Sequence, residues 1–263
     1  MILLRLVSSR KESGGGLDPD AQAFITAAGI TNPTQQSAIN QLVLDLKSYS
    51  LWTKMTAIYP IVGGTSSSHS YNLKNTAAFQ ITWGGSPLTH SSTGVTNNAQ
   101  GYGGTGVVPS SHLLQDDVHV SHYSRTLSPF SNNFDMLVSD SSYVSALGMA
   151  IYYSGNNLFS VNSTPWGTGA SATFYGLFTA TRQNNTTGTL YQNSSSIATT
   201  GVSVALPPSQ IPLCAFNVGG SIAYPSGIKE YAWFSIGSGL NATDVGNLYT
   251  AVQAFQTTLG RQV

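Results

Sequence analysis

The residues best suited to hold a ligand are an indole and short polar side chains on one segment, SVNSTPWGTG (160–169). Trp166, displayed among glycine, serine and threonine, can stack on the apolar face of a sugar ring while Asn162 and Thr164 hydrogen-bond its hydroxyls. Tyr102, in the glycine-rich stretch GYGGTG, is a further candidate. The alternative is that Trp166 packs across the mouth of the fold or into a subunit contact, because large aromatic side chains dominate cores and interfaces. Other aromatic candidates for a sugar platform are Trp83, Tyr152 and Tyr175.

Carboxylates are scarce and badly spaced for hydrolysis of a glycosidic bond. That reaction needs one protonated and one ionised carboxyl group, about 5–5.5 Å or about 6.5–9.5 Å apart. Only two residues are glutamate, and Asp116 and Asp117 are adjacent, so on a strand they would point to opposite faces. A pair assembled from Asp135 and Asp140 stays an alternative. The sequence therefore predicts that the protein is not an enzyme.

Histidines cluster near two of these acids without the spacing of a metal site. On a strand the side chains of His119 and His122 would point to opposite faces, whereas those of Asp117 and His119 would share a face. Asp117 and His119 could therefore contact a cation or a sugar hydroxyl. The alternative is that they are exposed polar residues beside a loop. The one cysteine, Cys214, lies in the apolar run LCAFNV and is expected to be a small buried hydrophobe. Phosphate-binding, dinucleotide-binding and nucleophile-elbow motifs are missing from the sequence. We expect neither a metal nor a cofactor.

Charge is low and balanced. The 263 residues include 10 Lys plus Arg and 10 Asp plus Glu, and charged residues make up 8%, against about 25% in an average globular domain. Such a chain has no cationic surface for a phosphate backbone or an acidic membrane, so nucleic-acid and membrane partners are not expected. The N-terminal sequence lacks the order of charge, apolar core and cleavage site of a secretory signal, and no apolar run approaches the ~20 residues of a membrane span.

Residues 1–16 are expected to form a docking arm with a glycine linker. The arm is apolar and β-prone at its start, polar from residue 8 to residue 13, and ends in three glycines at 14–16. A short β-prone segment on a flexible joint can add to a sheet edge of another chain. The alternative is a disordered terminus. The apolar residues expected to make the assembly contact are Ile2, Leu3, Leu4, Leu6 and Val7.

The remainder predicts helices first and strands afterwards. Residues 17–59 contain two cap-and-proline starts, Asp18-Pro19 and Asn32-Pro33, each followed by apolar residues at helical spacing. Residues 60–263 are the predicted sandwich domain. From about residue 70 the pattern changes to a period of two, and short alternating runs between turn clusters predict about ten strands of a sandwich or jelly roll. A last helix capped by Asn241 closes the chain. The runs predicted as strands are 77–83, 118–120, 134–138, 149–153, 174–182, 189–192, 213–218 and 230–236.

Two segments resemble laminin-G-like, concanavalin A-like sandwiches. GTLYQNSSSIA (188–198) is similar to the strand-turn-strand hairpin of that family, with Asn193-Ser194 where the family often has Asn-Gly. GIKEYAWFSIGSGLNATDVGNLYTAV (227–252) is similar to its last strand and following helix. The resemblance implies a mainly β, antiparallel concanavalin A/laminin-G-like sandwich carrying two N-terminal helices and one C-terminal helix.

A second resemblance covers both ends of the chain. Residues 18–65, NLKN (72–75) and the ending YTAVQAFQTTLGRQV resemble a family of tailed-bacteriophage virion proteins. The resemblance implies a structural protein of the particle surface (fibre, appendage or decoration), made in the host cytoplasm and attached to other virion proteins through its N-terminal arm. A homo-oligomer is expected, a trimer if the assembly is a fibre. The alternative function is an adhesin that binds a host surface glycan through sandwich loops.

Overall fold

The computed structural model describes residues 16–98, 100–127, 134–170, 173–223 and 227–263. The predicted assembly residues Ile2, Leu3, Leu4, Leu6 and Val7 lie outside the described residues. Within them, no helix is both long enough and apolar enough to cross a membrane.

The helices begin where their capping residues predict. α1 (Pro19–Ala27) follows Asp18, whose carboxylate accepts the amide N–H of Asp20, and α2 (Pro33–Ser48) follows Asn32, whose side chain accepts the amide N–H of Gln35. Two short helices were not predicted, α3 (Ser66–Ser70) and α4 (Pro109–His112), and a 3₁₀ turn spans Trp52–Lys54. α5 (Ala242–Thr258) starts in a reciprocal capping box between Asn241 and Asp244. The three long helices of the prediction are confirmed.

The described strands fall into three sheets. In chain order they are β1 (Met55–Tyr59), β2 (Thr82–Gly85), β3 (Thr89–His90), β4 (Val95–Thr96), β5 (Gly101–Gly104), β6 (Val118–Ser124), β7 (Met136–Ser139), β8 (Ala146–Tyr153), β9 (Asn156–Val161), β10 (Gly167–Ala170), β11 (Gly176–Arg182), β12 (Gly188–Gln192), β13 (Ser195–Thr200), β14 (Pro212–Leu213), β15 (Phe216–Val218), β16 (Ser221–Ala223) and β17 (Glu230–Gly237).

The larger sheet has the order β13-β12-β11-β6-β17-β4-β3, with β1 also paired to β17. The second sheet has the order β10-β9-β8-β7-β15-β16, and a small third sheet joins β14, β5 and β2. Pairing is antiparallel except between β15 and β7, which run parallel. The predicted β12–β13 hairpin forms, and its turn residue Asn193 has a φ of 56°.

Two apolar layers bury the two faces of the larger sheet. On one face Tyr123, Leu177 and Trp233 pack against residues of α1, α2 and α5. On the other face Phe178 and Phe234 pack against Met149 and Phe159 of the second sheet. The molecule is therefore layered as helices, larger sheet and second sheet, and the mainly β sandwich predicted from the sequence is confirmed. The outer face of the second sheet lies opposite the helices.

Two of the predicted strands are wrong. The run 213–218 is divided between β14 of the third sheet and β15 of the second sheet, with Cys214 at a φ of 61° between them. Residues 77–83 alternate between apolar and other side chains, but only Thr82 onward is extended, and residues 76–79 form turns. Phe79 has a φ of 55°, in the left-handed region and not the extended one, and its carbonyl oxygen accepts a hydrogen bond from the Tyr59 hydroxyl at 2.7 Å. A tertiary contact overrides the local alternation here.

Candidate glycan-binding surface

Five aromatic rings from distant parts of the chain meet on the outer face of the second sheet, and we call this group the aromatic surface. Phe216 of β15 is its base. Phe216 pairs in parallel register with Leu137 of β7, whereas the neighbouring Met136 and Val138 point into the core between the sheets. Because side chains alternate along a strand, Phe216 and Leu137 share the outer face. The members of the aromatic surface are Phe134, Tyr143, Tyr153, Trp166 and Phe216.

Trp166 directly precedes β10 and is half-buried. Its ring meets the Phe216 ring edge-on, with centroids 6.0 Å apart. The next residue is Gly167, where a Cβ would clash with the ring of Phe159, so the close packing behind the indole requires glycine. The indole N–H donates to the carbonyl oxygen of Tyr143 at 3.0 Å. That bond fixes the orientation of the half-buried indole.

Tyr143 is presented by a turn between β7 and β8. The Asp140 carboxylate accepts the amide N–H of Val144 at 3.0 Å and the hydroxyl of Ser142 at 2.8 Å, an arrangement that closes the turn. Tyr143 has a φ of 60° and is 52% exposed. Its ring lies 6.5 Å from Trp166 and 6.1 Å from Phe216, measured between centroids.

Phe134 and Tyr153 extend the aromatic surface along the sheet. The two rings stack with centroids 5.4 Å apart, and Phe134 lies 5.1 Å from Phe216. Exposed hydroxyls of Ser142 and Thr164 belong to the same segments as Tyr143 and Trp166. The arrangement combines ring faces with neutral hydrogen-bonding groups, which is what recognition of a neutral sugar requires.

The other predicted ligand residues do not all join Trp166. Thr164 is exposed, two residues before the indole. Asn162 is fully buried, and its amide donates to the carbonyl oxygens of Gln115 at 2.7 Å and Val204 at 3.0 Å. The expectation that Asn162 meets a sugar hydroxyl is therefore wrong, because its side chain joins two loops instead. Tyr102 lies on β5 of the third sheet, with its ring against Gly84 of β2, and is not part of the aromatic surface.

A second concave site lies where the β12–β13 hairpin approaches α5, and we call it the tyrosine pocket. Its volume is about 460 Å³. The Gln192 amide donates to the carbonyl oxygen of Tyr175 at 3.1 Å, and Asn193 Oδ1 accepts the amide N–H of Leu177 at 3.0 Å, so both polar side chains are held in place. Its lining carries no charged group: Thr173, Tyr175, Gln192, Asn193, Ser194, Ser195, Ile197 and Tyr249.

The acids considered for hydrolysis are engaged elsewhere. Asp135 is fully buried between the sheets, so a substrate sugar cannot reach it, while Asp140 closes the turn before Tyr143. Asp117 accepts the amide N–H of Gly239 at 2.8 Å. The structure does not bring Asp135 and Asp140 together as a pair on an open surface.

The histidines are placed for packing. The His119 ring contacts the carbonyl oxygen of Ser238 at 2.5 Å and the hydroxyl of Ser235 at 3.1 Å, and burial lowers its pKa to about 4. Burial likewise lowers the pKa of His122 to about 4. Across the described ranges, no group of three or more His, Cys, Asp or Glu side chains could hold a metal ion. Cys214 is buried, as predicted.

Sequence reasoning missed Tyr143, Phe216, Phe134 and Tyr153. Their ring contacts with one another join segments up to 82 residues apart, from Phe134 to Phe216. One local signal for Tyr143 was present: the run Asp140-Ser141-Ser142 is typical of a turn that displays the residue after it.

The architecture is a mainly β sandwich, and solved structures with a similar fold are known. Domain 4 of AbnA, an extracellular arabinanase of Geobacillus stearothermophilus solved with arabinotriose, is similar with a TM-score of 0.54 and 13% identity over 74% of this chain and 98% of that domain. A sialidase mutant of Trypanosoma rangeli with trans-sialidase activity is similar with a TM-score of 0.55 and 8% identity. The binding domain of botulinum neurotoxin serotype C1 is similar with a TM-score of 0.54 and 10% identity.

Coverage differs among these structures. The sialidase match covers 84% of this chain and 39% of the sialidase, and the toxin match covers 77% of this chain and 53% of the toxin domain. At these identities the likeness establishes the fold alone. Neither a protein-family model nor a curated protein sequence matches the chain.

Proposed function

We propose that this chain is a non-catalytic glycan-binding domain that uses the aromatic surface, displayed on a bacteriophage particle. The observation that carries the proposal is the half-exposed indole of Trp166, fixed by its N–H on the outer face of the second sheet beside the exposed ring of Tyr143. A rigid ring on a sheet loses little conformational freedom when a sugar stacks on it.

The chemistry of the surface favours a neutral saccharide. The ring faces of Trp166 and Tyr143 would contact the C–H face of a pyranose or furanose, and the hydroxyls of Ser142 and Thr164 would bind its hydroxyl groups. The charged group in the turn that carries Ser142 and Tyr143 is Asp140, whose carboxylate would repel an acidic sugar. Binding is therefore expected to depend weakly on salt, since no cation of the surface attracts the ligand.

The arabinanase domain supports this proposal, because its fold is similar to that of this chain and it was solved with an oligosaccharide, arabinotriose. The particle setting is supported by the resemblance of residues 18–65 and of the chain's ending to tailed-bacteriophage virion proteins. On this proposal the arm of residues 1–16 docks to other virion proteins, and the aromatic surface faces outward to a host surface glycan.

The binding test uses a glycan array followed by calorimetry with the best neutral oligosaccharide. Trp166→Ala should weaken binding about tenfold or more, since tenfold corresponds to about 1.4 kcal/mol, the scale of one stacked ring. Leu114→Ala is the matched control, because Leu114 is 66% exposed and lies outside the aromatic surface. Tyr175→Ala tests the tyrosine pocket in the same assay. An unchanged affinity in Trp166→Ala, or no glycan bound by the wild-type chain, would contradict the proposal.

The particle setting has its own test. Antibody against the sandwich should label intact phage particles, and a chain lacking residues 1–16 should fold but fail to join them. Incorporation of the shortened chain at the normal level would show that the arm does not dock.

A further inference from the structure

A cluster of ionisable side chains lies between the two sheets, apart from the aromatic surface. Its members are Asp135, Lys229, Tyr231 and His122, all with at most 1% of their surface exposed. Lys229 Nζ lies 2.6 Å from Asp135 Oδ1, and the Tyr231 hydroxyl donates to the same oxygen at 2.8 Å. An amine and a carboxylate are thus held together in an apolar interior, where two opposite charges lose much hydration.

The pair spans the sandwich. Asp135 comes directly before β7 of the second sheet, and Lys229 directly before β17 of the larger sheet. The surrounding rings shield both groups from water: His122 stacks on Phe178 with centroids 5.5 Å apart, and its ring also meets Tyr231 and Phe234. A covalent bond between the two side chains would therefore join the two sheets through their shared core.

We propose that Lys229 and Asp135 condense to an isopeptide bond with release of one water molecule. A proton first moves from Lys229 Nζ to Asp135 Oδ1 along their hydrogen bond, which leaves a neutral amine beside a carboxylic acid. The nitrogen lone pair then attacks Cγ, and the C=O electron pair moves onto Oδ2. A second proton passes from the nitrogen to Oδ1, the Cγ–Oδ1 bond breaks with its electrons, and water leaves as the Oδ2 pair restores the carbonyl.

The backbone of Ile151 is placed to assist both ends of the reaction. Its N–H donates to Asp135 Oδ2 at 2.5 Å, where the negative charge develops, and its carbonyl oxygen accepts from Lys229 Nζ at 3.2 Å. In the product amide the same two bonds persist, one to the new carbonyl oxygen and one from the new N–H. Both charges disappear, and the amide stays fully hydrogen-bonded.

His122 is the group placed to relay the second proton. Its Nε2 lies 3.7 Å from Asp135 Oδ1, the oxygen that leaves as water, and neither ring nitrogen has a hydrogen-bond partner among the described residues. Because burial lowers the pKa of His122 to about 4, the ring is neutral near pH 7 and able to accept a proton. The Tyr231 hydroxyl, already donating to Oδ1, assists its departure.

The test is the intact mass of the full chain after denaturation, which breaks an ion pair but not an amide. The expected mass is lower than that of the sequence by one water, about 18 Da. Trypsin should then yield residues 126–182 joined to residues 183–261, because the acylated Lys229 is no longer cleaved. The proposal would be overturned if folded protein, after prolonged storage, still had the full mass calculated from its sequence. A water loss that maps to other residues would overturn it too.

Two variants locate the chemistry. Lys229→Arg keeps a buried cation beside Asp135 but offers no nucleophilic amine, so it should fold and keep the full mass. His122→Phe keeps the stacked ring and removes no hydrogen bond, and it should form the bond more slowly, as followed by mass against time. A bond formed in Lys229→Arg would contradict the assignment of Lys229, and an unchanged rate in His122→Phe would contradict the role of His122.

Discussion

The guanidinium of Arg261 donates a hydrogen bond to the carbonyl oxygen of Ile61 at 2.7 Å, across 200 residues of sequence. It also donates to the carbonyl oxygens of Pro60 and Ala232 and to Oε1 of Gln256. Arg261 is 1% exposed, and burial lowers its pKa to about 9. One cation thus ties the chain after α5 to the end of β1 and to β17, and the oxygens that accept its hydrogen bonds are neutral.

Replacing Arg261 should be costly. Arg261→Met leaves several buried carbonyl oxygens without donors, and we expect the free energy of unfolding to fall by about 3 kcal/mol or more. Urea unfolding at neutral pH measures the change. Lys47→Met is the control: Lys47 pairs with Asp18 and Asp20 at the surface, and its loss should cost no more than about 1 kcal/mol. Equal midpoints for Arg261→Met and the wild-type protein would contradict this assignment.

Stability should fall in mild acid. Burial lowers the pKa of His69 to about 3 and those of His119 and His122 to about 4, against 6.5 in the unfolded chain. The unfolded state therefore binds more protons between pH 6.5 and about 4, so the stability is complete above pH 6.5 and declines as the pH falls. For each histidine, a tenfold difference in proton affinity between the folded and unfolded chain corresponds to roughly 1.4 kcal/mol.

Urea unfolding between pH 7 and pH 4.5 follows this decline. A His119→Gln variant should show a shallower pH dependence than the wild-type protein, because one of the three buried rings no longer titrates. A wild-type stability that stays constant through this pH window would refute the prediction.

Two glycines should respond in opposite ways to alanine. Gly148 has a φ of 129°, and a Cβ there would clash with the carbonyl oxygen of Met136, so Gly148→Ala should cost about 3 kcal/mol or more. Gly246 lies within α5 with open space around it, so Gly246→Ala should stabilise the protein by about 1 kcal/mol. Thermal unfolding of the pair compares them directly, and a destabilised Gly246→Ala would contradict the helix geometry.

We expect no hydrolysis of glycosidic bonds. Asp135 is fully buried and Asp117 holds the backbone of Gly239, so neither is free to act as acid or nucleophile on a surface ligand. Incubation with host surface polysaccharide should release no reducing ends. Release that disappears in Asp117→Asn or Asp135→Asn would show that the protein is an enzyme.

Local signals predicted the elements that depend on local chemistry. Asp18, Asn32 and Asn241 each mark a helix start, and all three helices form there because the side chain satisfies a free amide of the first turn. The alternation at residues 77–83 predicted a strand wrongly, because the backbone of Phe79 is held by its hydrogen bond with Tyr59. No local sequence pattern encodes that contact.

Only part of the candidate site could be predicted, because local patterns do not encode contacts between distant segments. Trp166 stands out by residue type and by its glycine-rich neighbours, yet the sequence could not show that Asn162, four residues earlier, points inward to two loops. Phe216 and Tyr143 reach Trp166 only through sheet pairing and a turn, and Asp135 reaches Lys229 across 94 residues. Such contacts follow from topology.

The helical layer also bears on how the chain is made. Leu46 of α2 and Phe255 of α5 belong to one apolar cluster, although α2 precedes every described strand and α5 follows them all. During synthesis the apolar stripe of α2 emerges from the ribosome long before its partner helix exists. The helical layer can therefore pack on the larger sheet only after α5 has been translated. Until then the apolar stripe of α2 is exposed and available for chaperones to bind.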